Sequence, residues 1–430
     1  MEKITRKEFL SELKTICATG TALTLFPWLQ SCTEKASQDI RGEVARLGII
    51  GTGSRGRYHI ANLLEDKSAR IVALCDDYRP HLDLAAALVP DAKQYADYHR
   101  LLEDPDVDGV IITTPLHLHA PITLDALAAG KHVFCEKAMA YTPQECQAMY
   151  RAWKASGKVL MIGQQRLYDP KYIRAMELVH GGAIGDVVGI RNYWYRNNDW
   201  RRPVDDPAEE RRINWRLYNA SSRGLLTELA CHQLQNGSWA MGGIQPDSVM
   251  GTGSIQHWKD SREVFDNVAV VYQYPNGVHM TFESIISNKH FGMGEQILGS
   301  KGTVDLVRGI LYSEEPAQKS GIKQFLIQIE RGVLSNSAFA STSWSLESES
   351  SDAGIRFIDD VVVNDGASSV GALADGSVEL IHAYCHAIIT GEQPKGLVEE
   401  AYYSTILALL GDQATHEHRV IDFPEELRLS

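Results

Sequence analysis

At 430 residues the chain exceeds one ordinary hydrophobic core, and 44% hydrophobic with 23% charged residues is the composition of a soluble globular protein of two domains. A formal net charge of -13 argues against a nucleic-acid or anionic-membrane partner, since either calls for a basic face. Seven cysteines without a Cys-x-x-Cys pair give no zinc or redox signature, so no metal is expected and disulfides are not the framework.

The first forty residues differ from the rest. Thr5-Arg6-Lys7-Glu8-Phe9-Leu10 precedes an apolar stretch over 16–29, then Leu29-Gln30-Ser31-Cys32 and a polar tract. This order reads as an export signal and linker over 1–40, outside the fold. Arg6-Lys7 resembles a twin-arginine signal with Lys as the second member, and 29–32 resembles a lipoprotein cleavage box with Cys32 as lipid anchor. A periplasmic or membrane-anchored location follows; an uncleaved N-terminal helix on a cytoplasmic protein is the other reading.

Over 41–165 short apolar runs alternate with helical stretches, the mark of a doubly wound parallel sheet. Strands are expected at 45–50, 70–75, 109–113, 132–135 and 159–163, with helices at 57–65, 98–103, 122–129 and 143–155. Gly51-Thr52-Gly53-Ser54-Arg55-Gly56 follows the first strand, and Asp76 closes the second about twenty residues after the last glycine, the dinucleotide fingerprint. The glycines let the backbone turn and approach a pyrophosphate, the following helix offers free amides, and Asp76 can accept from both ribose hydroxyls. Asp76 favours NAD over NADP, because a 2′-phosphate would meet its carboxylate, with Arg79 as a nearby cation of opposite tendency.

The second domain, 166–430, opens with a helix at 173–180 and turns to strands of period two. Pro275-Asn276-Gly277 between 267–274 and 278–284 is a hairpin signal and implies an open, mostly antiparallel sheet. The serine-rich tract at 314–352 reads as an insertion, a surface loop or else a lid or subunit contact, with a candidate helix at 325–334. Helices at 378–390 and 399–416 then return toward the first domain. An exposed sheet face in this half predicts a homo-oligomer.

Ligands of open parallel sheets bind beyond the strand carboxyl ends, which selects Thr114-Pro115, Glu136-Lys137 and Gln165-Arg166. A lysine in a partly dry crevice beside a cationic nicotinamide loses its proton more readily, so Lys137 is the candidate acid-base, with Glu136 holding the cofactor amide or orienting it. Glu228 and His232, four apart, share a helix face where the carboxylate can fix the imidazole. A surface Glu-Lys pair and a structural helix are the plain alternatives to these two readings.

Together Gly51 to Gly56, Thr114-Pro115-Leu116-His117-Leu118-His119, Glu136-Lys137-Ala138 and the segment 224–235 resemble the Gfo/Idh/MocA oxidoreductases. The resemblance implies Lys137, His232 and Glu228 as catalytic residues, His119 at the cofactor, and Trp215-Arg216 touching both cofactor and substrate. Glu228 stands where Asp is usual, Gln235 replaces a second Asp, and Ala138 replaces a proline whose preceding bond is usually cis. Tyr193 to Asn198 and Asp199-Trp200-Arg201-Arg202 offer aromatic faces and polar forks suited to a sugar ring, although half of those residues would point away if Tyr193 to Arg196 is a strand. Arg166, Tyr168 and Tyr195 join Lys137 and His232 as candidate substrate contacts. The resemblance thus implies an NAD-dependent oxidation of a ring secondary alcohol on a sugar or glycoside, and export together with Asn214-Trp215-Arg216-Leu217-Tyr218 resembles the glycoside 3-dehydrogenases, which implies C3. A redox-neutral NAD-dependent glycosidase and a non-catalytic nucleotide-binding scaffold are the rival readings.

Overall fold

The computed structural model describes residues 44–314, 354–357 and 375–429. The expected export signal at 1–40 with Cys32, and nearly all of the serine-rich tract with the helix expected at 325–334, lie outside the described residues.

Six short strands form the first sheet: β1 (Ala45–Ile50), β2 (Ala69–Cys75), β3 (Lys93–Tyr95), β4 (Gly109–Ile112), β5 (His132–Cys135) and β6 (Leu160–Ile162). Their order is β3-β2-β1-β4-β5-β6 and every pairing is parallel. Helices on both faces explain why β4 and β6 are buried at every residue and read as unbroken apolar runs. These helices are α1 (Ser54–Leu63), α2 (Arg79–Ala86), α3 (Tyr98–Leu102), α4 (His119–Ala128) and α5 (Pro143–Ser156). Local chemistry sets the ends of α5: Thr142 and Glu145 form a capping box, Pro143 opens the first turn, and Gly157 at φ +64 closes it.

Two elements escape the sequence pattern. Helix α2 begins at Arg79-Pro80, and β3 is a three-residue polar edge strand that buries too little to show a period. Helix α1 also starts earlier than its apolar spacing suggests, because Gly53 is still extended and Ser54 already enters the helix inside the glycine motif.

After α6 (Pro170–His180) the chain builds a nine-stranded sheet from β7 (Val187–Trp194), β8 (Ser248–Ser254), β9 (Asn267–Gln273), β10 (His279–Ile285), β11 (Met293–Gly299), β12 (Gly302–Asp305), β13 (Ile310–Ser313), β14 (Ile355–Arg356) and β15 (Ile421–Asp422). The order is β14-β13-β12-β11-β7-β10-β9-β8-β15, antiparallel except where β7 meets β10. The predicted hairpin joins β9 to β10, with Gly277 at φ +83 and Tyr274 donating to the Val278 carbonyl at 2.8 Å. Val268, Val270 and Tyr272 of β9 and Met280 and Phe282 of β10 face inward. A π-helical turn (Leu226–Ala230), α7 (Cys231–Ala240) and α9 (Leu397–Glu417) belong to the same core, and Tyr272 donates to the Leu407 carbonyl of α9 at 2.8 Å.

The last two helices join the halves. Tyr384 of α8 (Ser377–Thr390) donates to the Val110 carbonyl at 3.0 Å, lying over Gly109, where a Cβ would come within 2.6 Å of its hydroxyl. In α9, Ser404 accepts from Gln164 and Thr405 accepts from the Met139 amide, each at 2.9 Å, which fixes the loops that leave β6 and β5. The five described cysteines are free and buried. Among the described residues no helix is long and apolar enough to cross a membrane, and no cluster of metal-ligating side chains occurs.

The fully buried Tyr384 is thus a load on one side chain. Tyr384→Ala is expected to cost about 3–5 kcal/mol, and Tyr384→Phe, which loses only the hydrogen bond, about 1 kcal/mol. Urea unfolding of the two variants checks the ratio.

Candidate active site

The reversal of strand order between β1 and β4 opens a crevice at the carboxyl ends of the first sheet. Gly51, at φ +89, passes so close to the exit of β4 that a Cβ would lie 2.9 Å from the Thr114 nitrogen. At Gly56 a Cβ would stand 2.2 Å from the Gly51 carbonyl oxygen, so this glycine packs helix on strand and does not line the crevice. Gly53 faces open space instead, its nearest neighbour being His81 at 3.8 Å. The first amides of α1 have no acceptor within the helix. Asp76 directly follows β2, its carboxylate held by Thr52, through N at 2.7 Å and Oγ1 at 3.1 Å, and by the Tyr78 amide at 2.9 Å. Arg79 turns away to pair with Asp83 on the surface of α2, so it adds no cation beside Asp76.

A cavity of about 1090 Å³ runs from this loop into the second domain. It is lined by Gly51, Gly53, Ser54, Arg55, Asp76, Thr114, Pro115, His119, Glu136, Lys137 and Gln165 from the first half, and by Trp215, Arg216, Glu228 and His232 from the second. Buried polar atoms without a protein partner border it: Thr114 Oγ1, His117 Nδ1, Gln165 Oε1 and His232 Nδ1. A bare backbone cradle, an oriented carboxylate and unsatisfied polar atoms along one wall are the features a nicotinamide dinucleotide fits.

Glu136 does not point at the cavity alone. Its Oε1 accepts from Arg55 Nε at 2.6 Å and His59 Nε2 at 2.8 Å, and its Oε2 accepts from the Lys137 amide at 3.3 Å. Burial by itself would raise this carboxyl, but Arg55 and His59 outweigh it and hold Glu136 well below the usual carboxylate range. His59 was absent from the sequence reading, yet its signal was there: Arg55 and His59 stand four apart on α1 and share a face. His119 fixes the neighbouring turn, its Nδ1 lying 2.8 Å from the Ala138 carbonyl and its Nε2 3.0 Å from that of Thr114. The Lys137–Ala138 bond is cis.

Lys137 Nζ crosses to the second domain and donates to the Glu228 backbone carbonyl at 2.8 Å. Burial first, then Lys137 and Arg166, drive His232 well below the ordinary imidazole value, so it is neutral. The expected pairing of Glu228 with His232 is corrected here. Glu228 accepts from Arg216 Nε at 2.9 Å and from Ser222 at 3.4 Å instead. The segment Leu226–Ala230 is a π-turn, wound i to i+5, so residues four apart no longer stack as they do on an α-helix. Against its own burial, Arg216 and Lys137 keep Glu228 ionised. The Arg216 guanidinium lies 4.1 Å over the Trp215 ring.

Three candidate substrate contacts lie off the cavity lining. Gln165–Tyr168 is a 3-10 turn that sends Gln165 into the cavity and Arg166 the other way, onto buried Glu295 at 2.6 Å. Tyr168 packs half-buried on the core. Tyr195 donates to Glu283 at 2.7 Å and lies beside Phe291 on the outer side of the sheet. Strand parity decides this: Asn192 and Trp194 take the inner side, where the Trp194 ring stands 6.3 Å from that of His232 and Arg196 lies 5.6 Å from Trp194.

Residues 45–164 match the family model described as an oxidoreductase family with an NAD-binding Rossmann fold, and residues 172–305 match the GFO/IDH/MocA C-terminal domain. The inositol 2-dehydrogenase of Salmonella paratyphi B is 36% identical over 153 residues, 35% of this chain and 46% of that protein. The chain thus spans about half the length of that relative. The myo-inositol 2-dehydrogenase of Thermotoga maritima is 26% identical over 268 residues, 60% of this chain and 74% of its own. A levoglucosan dehydrogenase solved with NADH and levoglucosan shares the fold, with a TM-score of 0.67 at 20% identity over 89% of this chain and 100% of that one.

Burial lowers His59, His119 and His232 alike. Below about pH 6.5 the unfolded chain takes up protons at these positions and the folded chain does not, so stability falls as the pH drops through that value. The urea midpoint is expected to decline between about pH 7 and about pH 5, and to decline less steeply in His59→Gln, which keeps a donor to Glu136. Equal slopes in the two proteins would remove His59 from the account.

Proposed function

The chain belongs to the Gfo/Idh/MocA oxidoreductase family, and on that premise we propose that it is an NAD-dependent dehydrogenase of a ring secondary alcohol on a sugar or glycoside, acting at C3. The observation that carries the reading is the meeting of Lys137 and His232, from separate domains, on the cavity that also holds the glycine loop and Asp76. Bound nicotinamide would supply the hydride acceptor. The chain's own residues handle the remaining proton. Neutral His232 is fit to accept it from the substrate hydroxyl at an imidazole nitrogen, while Lys137, anchored through one Nζ hydrogen on the Glu228 carbonyl, has further donors for the reacting oxygen. The Glu136, Arg55 and His59 network keeps the Lys137 backbone in place. Trp194, with Arg196 over its ring, stands beside His232 outside the cavity lining, so the substrate side of the cavity is formed by Lys137, His232, Trp215 and Arg216.

The same reading extends to compartment and assembly. Residues 1–40 serve as an export signal with Cys32 as its lipid-anchor point, and the outer side of the second sheet, where Met250, Val271 and Phe291 are exposed, seats a second copy. Intact mass and light scattering of protein recovered from the cell envelope check both, and an unprocessed monomer contradicts them.

Turnover is tested with a glycoside panel, following NADH absorbance and sugar release together. Lys137→Ala is expected to lower kcat/KM by about 10²–10⁴ with nucleotide still bound. Full turnover in that variant would overturn the assignment, and sugar release without net NADH would make the enzyme a redox-neutral glycosidase. Because His232 is held neutral, kcat/KM should stay level as the pH falls through about 6.5 and drop only below it. A profile that breaks above that value would exclude His232 as the proton acceptor.

A further inference from the structure

We propose that Arg202, carried by the second domain, closes over the diphosphate of the bound dinucleotide, so that the cofactor itself bridges the two domains. This rests on the nucleotide-binding part of the reading above. Arg202 lines the cavity from the side opposite the glycine loop, and its Nη2 lies 3.5 Å from Ser54 Oγ, at the first residue of α1. That helix end offers unpaired amides from one side, where a diphosphate lies in this kind of fold. A guanidinium facing it supplies the matching donors from the other.

The segment bearing Arg202 is built to hold it there. Buried Asn214 clamps the Arg202 backbone twice, accepting from its amide at 2.7 Å and donating to its carbonyl at 3.0 Å. The preceding Arg201 donates from Nε to Asp260 at 3.0 Å and pairs with Glu210, and Asp260 is in turn held by Arg262 at 2.7 Å. Backbone and neighbour are thus fixed, while the Arg202 side chain reaches into the cleft.

Its charge has no carboxylate to meet it among the described residues. Nearby Arg57 donates to the Thr52 carbonyl at 2.8 Å, Arg216 pairs with Glu228 at 2.9 Å, and Arg212 pairs with Asp77 at 2.8 Å. Among the described residues no carboxylate lies within ion-pair distance of Arg202. Burial, then Arg216 and Arg57, act on it in one direction, each disfavouring its charge. A cation set among other cations calls for an anion. The carboxylates of Asp76 and Asp77 occupy the ribose end, which leaves the diphosphate at Ser54 as the anion that Arg202 reaches.

Two consequences follow for the full-length protein. Release of the nucleotide must break a contact on each domain, and its affinity must fall with salt. Titration of intrinsic and NADH fluorescence, with stopped-flow dissociation, compares wild type, Arg202→Gln and Arg202→Lys. Arg202→Gln is expected to weaken NADH about ten- to a hundredfold, chiefly through faster release, and to flatten the salt dependence, with Arg202→Lys recovering part of the loss. ADP should lose a similar factor and adenosine none. Unchanged NADH affinity in Arg202→Gln, or an equal loss for adenosine, would overturn the proposal while the nucleotide reading stands. A wild-type protein that binds no NADH would overturn both.

Discussion

The hydrogen bond from Lys137 Nζ to the Glu228 carbonyl ties the exit of β5 to a helical turn of the other domain, across the cavity both share. Much of the site depends on it. It brings the amine within electrostatic reach of His232, and with burial and Arg166 it contributes to holding that imidazole neutral. It also relies on the π-turn at Leu226–Ala230, whose altered winding releases Glu228 from His232 and gives its carboxylate to Arg216. Such turns recur at functional sites because they re-aim one carbonyl and one side chain without ending the helix.

Behind Lys137 lies a second layer of fixed charge. Glu136 is buried and ionised only because Arg55 and His59 converge on it, and removing one partner of such a group leaves a charge without compensation. The layer links the glycine loop to the lysine: Arg55 belongs to the fingerprint, and Glu136 immediately precedes Lys137. A rearrangement of the loop on nucleotide binding would therefore be felt at the amine through one carboxylate. On the far wall, Arg202 and Arg216 bring guanidinium groups from the second domain to the same cavity. Deeper in the same crevice burial holds the imidazoles of His119 and His232 neutral.

Much of the first domain was legible before any coordinates. Parallel strands covered on both sides must be nearly all apolar, so β1, β4 and β5 stood out, and the glycine spacing marked the crevice at their ends. The hairpin of β9 and β10 was legible for an equally local reason, the backbone freedom of Asn-Gly. What escaped was short and polar at the sheet edge, as in β3, or depended on winding, as in the turn holding Glu228.

Sequence alone determined which residues stand at strand ends, because period and glycine placement are local properties of the chain. Which of them face the cavity was a tertiary decision. Gln165 lines it while the next residue, Arg166, is spent on Glu295, and Tyr195 falls on the outer side of the second sheet. A side chain's direction depends on a register set by partners far away in the chain, and a buried charge goes to whichever opposite charge the fold brings near.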